Sequence, residues 1–420
     1  MKSKKRALLI LFAVVILNGF FANLVYAGAA YIYEMANPGD TGYAGAGLAA
    51  RAGDAGTVFT NPAGMTRFQK PATMLGATVL YLYVPFNPDQ DTTASGPDGD
   101  ANGFVPGGSL AYIHPVSESL TLGISAQNYF GLSLDWGGNW VGRYQSSKVT
   151  IVAPQLQPTI AYKVNDWLSV GAGAGLTLGY ISDEAKIDTP EPDLGNGKFK
   201  YDDTDFAVQG NFGVMIEPSE RTRIGVRYLT ETDLDFDSDI YFSGEGPIIA
   251  DLTKNVRGLD LGMHMPQSVM AGIFHQVNDE WAILGSVGWD DWSRFAKIHI
   301  RVDGTGIDEG ADAGFDDTWH YGVGVEHQYT PKLMLTGGFS YDSSMSKGST
   351  RPLTIPLGSM YRYGVGFKYQ KRDDLILGGG LSFMWEGDLP VKTAGSGGNT
   401  VSGQYENVNL TFVSFYAQWL

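Results

Sequence analysis

The stretch Tyr361-Arg-Tyr-Gly-Val-Gly-Phe-Lys-Tyr-Gln370 alternates without a break. One face carries Tyr361, Tyr363, Val365, Phe367 and Tyr369, and the other Arg362, Gly364, Gly366, Lys368 and Gln370. A period of two with one apolar and one polar face marks a β-strand. The same alternation returns at 321–329, 168–180 and 375–386, and no helical periodicity of comparable length competes with it. Strands of ten or more residues exceed the roughly 5–6 of a soluble sandwich. Aromatic pairs such as Tyr361 with Tyr369 and Tyr321 with Tyr329 bracket the apolar face at both ends. That spacing fits the interfacial girdles of a transmembrane barrel.

Working outward, short polar turns at 116–119, 164–167, 217–221, 277–280, 329–332 and 370–374 alternate with long acidic, glycine-rich loops near 87–106, 132–148, 182–206, 232–265, 303–316, 344–359 and 387–404. Six short turns and seven long loops predict fourteen strands, with both barrel termini on the short-turn side. Residues 71–420 allow about 25 positions per strand and connection, above the roughly 9–11 needed to cross a bilayer. The segment 407–420 reads as the closing strand, but both its faces are partly apolar and the lipid face stays unassigned. The expected fold class is therefore all-β, a fourteen-stranded antiparallel transmembrane β-barrel.

Lys2, Lys4, Lys5 and Arg6 precede the apolar run Ala7 to Leu17, and Val25-Tyr26-Ala27 ends in a small-residue cleavage pattern. Residues 1–27 thus read as a secretory signal peptide, too short in its apolar run to span a membrane. Removing them takes four of the 29 basic residues and no acidic one, leaving 25 against 45 and a charge of −20. So acidic a chain argues against nucleic acid, whose phosphates demand Lys and Arg. With no cysteine there is no disulfide framework and no thiolate chemistry. The 56 glycines follow no collagen period. A mean hydropathy of −0.10 looks soluble, yet it also suits an average over an apolar outer face, a polar inner face and acidic loops.

Residues 28–70 differ from the rest. Small residues dominate, and Asn61-Pro62 suits an N-cap with proline at the first helical position. Such compact elements suit packing in a confined space, and we expect a small N-terminal unit over 28–70 ahead of a barrel over 71–420. Gly45-x-Gly47-x-x-Ala50 matches a dinucleotide fingerprint on paper, but no βαβ unit surrounds it and no cofactor is expected. Asp233, Asp235, Asp237 and Asp239 line one strand face without the glycine and glutamate of a calcium loop. They read as a solvated edge, open to divalent bridging with lipopolysaccharide phosphates. The six histidines form no H-E-x-x-H pair, and no Gly-x-Ser-x-Gly elbow occurs.

Gly45-Ala-Gly47, Ala49-Ala50, Asp54-Ala55, Val58-Phe59 and above all Asn61-Pro62-Ala63-Gly64-Met65 resemble the N-terminal hatch of the FadL family. Trp140-Val-Gly-Arg143-Tyr144, Gln157-Pro158, Ala161-Tyr162-Lys163 and Trp289-x-x-Trp292-Ser293 extend that resemblance over nearly the whole mature chain. The resemblance implies an outer-membrane transporter of long-chain fatty acids or other hydrophobic compounds, its barrel plugged by the hatch. It also implies ligand capture by outer loops, a pocket above the hatch and sideways release into the membrane. It puts Phe59, Asn61, Pro62 and Ala63 at the gating position, although Asn61 and Pro62 also serve as a cap. Arg51, Arg143 and Lys186 are carboxylate-binding candidates by location alone, and each also reads as a structural or solvated charge. A site without a cation would favour a neutral hydrocarbon. The expected partners are outer-membrane lipids, lipopolysaccharide and a hydrophobic ligand, with the protein a monomer and not an enzyme. The rivals are a lipid-active enzyme, needing a Ser-His-acid or Ser-His-Asn set on the wall, and a structural or adhesive barrel with no use for a hatch.

Overall fold

The computed structural model describes residues 31–190, 195–348, 351–394 and 399–420, so the leader-like stretch 1–27 lies outside the described residues. Fourteen strands form the wall: β1 (Ala72–Tyr83), β2 (Gly103–Pro115), β3 (Leu120–Asp135), β4 (Lys148–Asn165), β5 (Leu168–Ile187), β6 (Gly197–Ser219) and β7 (Thr222–Leu229), then β8 (Ser268–Gln276), β9 (Trp281–Asp290), β10 (Thr318–Thr330), β11 (Leu333–Asp342), β12 (Met360–Arg372), β13 (Leu375–Ala394) and β14 (Thr400–Trp419). Each pairs antiparallel with its neighbours in sequence. The ring shuts where β1 meets β14, with Ala77 opposite Phe415 and Thr73 opposite Trp419. Joining β1 to β14 leaves neither terminal strand with a free edge in the membrane, where an unpaired N–H or C=O costs several kcal/mol.

The alternation read at 361–370 becomes a lipid face and a lumen face. Val365 is 60% exposed and Arg362, on the other face of the strand, only 2%. In β14 the exposed Val413, Phe415 and Trp419 point outward, while buried Phe412, Ser414 and Tyr416 point inward. The parity was ambiguous in the sequence because two aromatics of that strand fill the lumen. Inward amides bond one another: Gln155 Nε2 donates to Thr177 at 3.0 Å and to Gln209 at 3.1 Å, and Asn211 donates to Gln157 at 3.1 Å.

The region expected as a long loop over 232–265 is instead half of a second sheet. Thr232–Asp239, Gly258–Met265, Lys297–Val302 and Ile307–Asp312 form four strands at the long-loop end. Leu234, Phe236, Leu261 and Ile300 face inward and are buried. The aspartate run 233–239 alternates with them, so its carboxylates face out. Burial of that apolar face explains why the loop folds.

Residues 31–68 sit inside the ring and are almost wholly buried down to Met65. The wall makes room for them with glycine. A Cβ on Gly338 would lie 1.9 Å from the Tyr43 carbonyl oxygen, and one on Gly225 would lie 1.9 Å from that of Ala49. Both glycines face the lumen, so part of the glycine excess is space for the plug. We predict that Gly338→Val leaves a closed barrel with an unseated plug. Gel migration with and without boiling checks closure, and faster proteolysis of residues 31–68 is the expected sign.

Candidate functional site: the hatch and the break in the wall

Two Asn-Pro dipeptides organise the plug. Asn37 caps the 3-10 turn Pro38–Tyr43, its Oδ1 accepting from Gly39 N at 3.2 Å. Asn61 caps Pro62–Arg67 in the same manner, accepting from Ala63 N at 3.1 Å. Proline at the first helical position forfeits only a donor that has no partner there. Between the two caps lies a knot of charge. Arg51 is 2.6 Å from both Asp40 and Asp54, and Asn37 Nδ2 donates to the same two carboxylates at 2.8 and 3.1 Å. Burial pushes the Asp40 carboxyl up to about 6 against the opposing pull of Arg51. The Arg51 guanidinium is thus engaged within the plug.

The wall grips this plug largely by its backbone carbonyls. In the reverse sense, Asn61 Nδ2 of the plug donates to the wall carbonyl of Val214 at 3.1 Å, besides the Ala49 carbonyl within the plug at 2.6 Å. Gln157 reaches Val58 O at 2.9 Å and Asn211 reaches Phe59 O at 2.8 Å. Arg223 bonds the carbonyls of Ala50 and Arg51 at 3.1 and 2.8 Å, and Lys368 bonds that of Gly53 at 2.9 Å. Phe59, Pro62 and Ala63 are buried in the same contact zone.

One side chain of the plug enters a buried ionic chain. Glu34 pairs with Arg362 at 3.1 Å, and Arg362 Nε donates to Asp342 at 2.7 Å. Asp342 Oδ1 lies 2.8 Å from His320 Nδ1, and His320 Nε2 lies 3.1 Å from Ser286 Oγ. Ser286, His320 and Asp342 have the connectivity of a nucleophile, base and acid. A plug loop covers them, however, and a Cβ on Gly45 would sit 3.2 Å from the His320 ring. Ser286 is also 3.4 Å from the Gly45 carbonyl oxygen, a contact that ties wall to plug.

Between β2 and β3 the ladder stops short. β2 stays paired with β1 from Ile113 to Gly103, but its pairing with β3 ends at Leu110 opposite Ala126. There β3 bulges between Asn128 and Gly131, with Gly131 at φ +156°. A cavity of about 50 Å³ opens at this break, lined by Leu80, Val105, Phe130 and Leu132 from the wall and Ile32 and Met35 from the plug. Ile32 N donates to the Tyr129 carbonyl at 2.9 Å, so the plug caps the bulge. The Phe59 ring lies 4.7 Å from that of Tyr129, and Tyr31 packs at 5.5 Å on its other side.

Arg143 and Lys186 lie together at the outer end. Arg143 stacks on Tyr144 at 4.2 Å and donates to Trp140 O at 3.1 Å and Ser95 Oγ at 3.3 Å. The Arg143 carbonyl accepts from Lys186 N at 2.8 Å, and the Lys186 side chain is half-buried against Gly138. Arg51 belongs to the plug knot and does not join them.

A fourth cation escaped the sequence reading. Arg227 of β7 is fully buried, and none of its three guanidinium nitrogens has a hydrogen-bond partner among the described residues. Its Cζ sits 5.2 Å from the Phe59 ring centre and 5.3 Å from that of Tyr33. Burying an ion costs several kcal/mol. Cation–π contact returns about 2 kcal/mol when desolvated. Strand parity was the available signal, since Arg223, Gly225 and Arg227 alternate with the outward Ile224, Val226 and Tyr228.

A closed barrel with a polar lumen, an apolar outer belt and an internal plug defines an outer-membrane transport protein. The sequence model described as outer membrane protein transport protein (OMPP1/FadL/TodX) matches residues 19–415, and the chain belongs to that family. A long-chain fatty acid transport protein of Escherichia coli O6:H1 is 26% identical over 354 residues, 75% of this chain and 77% of that protein. Outer membrane protein P1 of Haemophilus influenzae is 27% identical over 369 residues, 76% and 78% of the two chains. The crystal structure of a Pseudomonas aeruginosa FadL homologue superposes with a TM-score of 0.85 at 19% identity, covering 93% of this chain and 99% of that one. The Ralstonia pickettii toluene transporter TbuX gives 0.67 at 17% identity, covering 92% and 99%. At such identities these structures speak to fold alone.

Replacing Arg362 by Ala strips Glu34 and Asp342 of their shared counter-ion. Removing one partner of a buried ion pair costs about 3–5 kcal/mol. We expect the Arg362→Ala barrel to assemble and residues 31–68 to exchange amide protons faster. Unchanged exchange would show that the chain does not hold the plug.

Proposed function

We propose that this protein carries hydrophobic molecules passively from outside the cell into the outer membrane, releasing them sideways between β2 and β3. The observation that carries the reading is the interrupted β2–β3 ladder, lined by apolar side chains and capped by the plug. A ladder break that faced lipid with no role would expose backbone polar groups at a cost. The buried apolar cluster that includes Phe59, Tyr129, Phe130 and Leu261 extends from the plug to the outer sheet and supports an apolar route. Transfer of apolar surface from water is favourable by roughly 25 cal/mol per Å², so the movement needs no energy source. Phe59, Asn61, Pro62 and Ala63 form the gate in this reading, with Asn61 the hinge because its amide bonds both plug and wall. The outward aspartates of the second sheet face lipopolysaccharide, and one chain suffices for the path.

Cysteine substitution gives a direct test because the chain has no native cysteine. Val105→Cys with Ser133→Cys, joined by a short bifunctional maleimide, should stop ligand uptake by cells while either single variant transports normally. Undiminished uptake by the cross-linked protein would rule out this exit. Asn61→Ala removes a cap worth about 0.5–2 kcal/mol. It should raise entry of a small hydrophilic dye into cells without loss of barrel assembly, and dye entry equal to the parent's would count against a hinge at Asn61.

A further inference from the structure

We propose that the outside of the wall carries a groove for one acyl chain of an anionic phospholipid of the periplasmic leaflet. It crosses β12, β13, β14 and β1, and Lys332 and Lys371 take the phosphate. The site faces lipid, apart from the lumen and the β2–β3 break, and stands independently of the transport reading.

Register makes the groove. In the lipid-facing belt Leu75 stands opposite Ala417, Ala417 opposite Leu377 and Leu377 opposite Tyr369. One row nearer the long loops, Ala77 stands opposite Phe415, Phe415 opposite Gly379 and Gly379 opposite Phe367. Other outward positions of the same strands carry Val79, Val365, Leu381 and Val413, all exposed. Where the two rows meet, the wall recedes into an apolar groove of about 790 Å³ lined by Leu75, Ala77, Phe367, Leu377, Phe415 and Ala417. The Phe415 ring leans over Gly379, where a Cβ would come within 2.9 Å of it.

Depth and shape select the occupant. Tyr369 and Trp419 are exposed aromatics near the short-turn ends of β12 and β14. Such residues sit at the head-group level, and short turns face the periplasm. The groove starts at that level and runs toward the middle of the bilayer, as an acyl chain does. An unfilled hollow forfeits the dispersion contacts of its lining. A flexible chain fills it, whereas the convex wall of a second barrel would bridge over it.

The charge at its mouth selects the head. Gln370 N donates to the Lys332 carbonyl at 2.8 Å, which sets Lys332 and Lys371 on neighbouring turns below the groove. Lys70 lies just ahead of β1. All three lysines are exposed, and none forms an ion pair among the described residues. Arg372 is held by Asp374 at 2.9 Å, and Asp373 stays exposed in that turn, so the rim keeps a positive excess. On the far side of the short-turn end, Lys163, Arg221 and Arg67 are held by Asp166, Asp279 and Glu217. Uncommitted cations thus gather beside the groove, where they complement an anionic head group.

The test adds defined lipids to the purified mature barrel in detergent and counts those retained by native mass spectrometry. Wild-type protein should keep one phosphatidylglycerol about thirtyfold more tightly than a diacylglycerol with the same chains, the effect of two lysines near an anionic head. Lysophosphatidylglycerol, with one chain, should compete for the same place. Ala417→Phe fills the groove and should abolish retention of both lipids. Because Ala417 faces lipid and not the lumen, that loss reports the outer groove, and Ala77→Phe serves if Ala417→Phe does not assemble. Lys332→Gln combined with Lys371→Gln should bring phosphatidylglycerol down to the diacylglycerol's affinity and leave the latter unchanged. Undiminished retention in either assembled phenylalanine variant overturns the groove. An undiminished preference in the double lysine variant overturns the phosphate site, and a wild-type dimer that Ala417→Phe dissociates replaces the lipid with a second copy of the chain.

Discussion

Everything in this molecule follows from the demand that a backbone in hydrocarbon must bond to itself. Water is not there to satisfy an N–H or C=O, so strands can cross only as a closed ring. The β1–β14 seam meets that demand across the register from Thr73 with Trp419 to Tyr83 with Asn409. Closure at fourteen strands has a second consequence. The ring is too wide for its own side chains to fill, and an unfilled lumen would be a water pore. The plug is the answer to that volume, and the lumen glycines are the answer to the plug.

The same demand makes the β2–β3 break informative. A ladder that stops inside the wall is tolerated because other groups take over its work. Gly131 supplies the unusual backbone angle, and the bulge hands the Tyr129 carbonyl to Ile32 of the plug. Wall and plug therefore share one hydrogen-bond inventory at this point, through the bond from Ile32 N to the Tyr129 carbonyl. The ionic chain from Glu34 to His320 ties the plug to β10, β11 and β12 as well.

Much of the barrel was legible because alternation is a direct imprint of a sheet between two solvents. Val365 and Arg362 can be sorted to lipid and lumen from their parity alone. The legibility ended where one face stopped being distinct from the other, as in β14, whose inward Phe412 and Tyr416 answer to the plug and not to water. It ended again at 232–265, where strands form because Leu234 and Phe236 have a surface to bury against, which the chain reveals only once folded. The Asn61-Pro62 cap was readable because capping is local. The partners of Arg51 are near in sequence, but nothing local says that Arg227 would face two rings of the plug in place of water. The identity of lumen cations follows from parity, whereas their pairing depends on contacts made across the ring.

The grip of the wall on backbone carbonyls has a bearing on how such a protein can diverge. A carbonyl is present whatever side chain its residue bears, so the wall's bonds to Ala50, Arg51, Gly53, Val58 and Phe59 survive substitution at those positions if the newcomer fits. The chemical memory of the latch therefore resides in wall residues such as Gln157, Asn211, Arg223 and Lys368, and the plug contributes mainly its outline. Lineages are free to rewrite the stopper under a limit of size, while the socket that receives it must keep its donors.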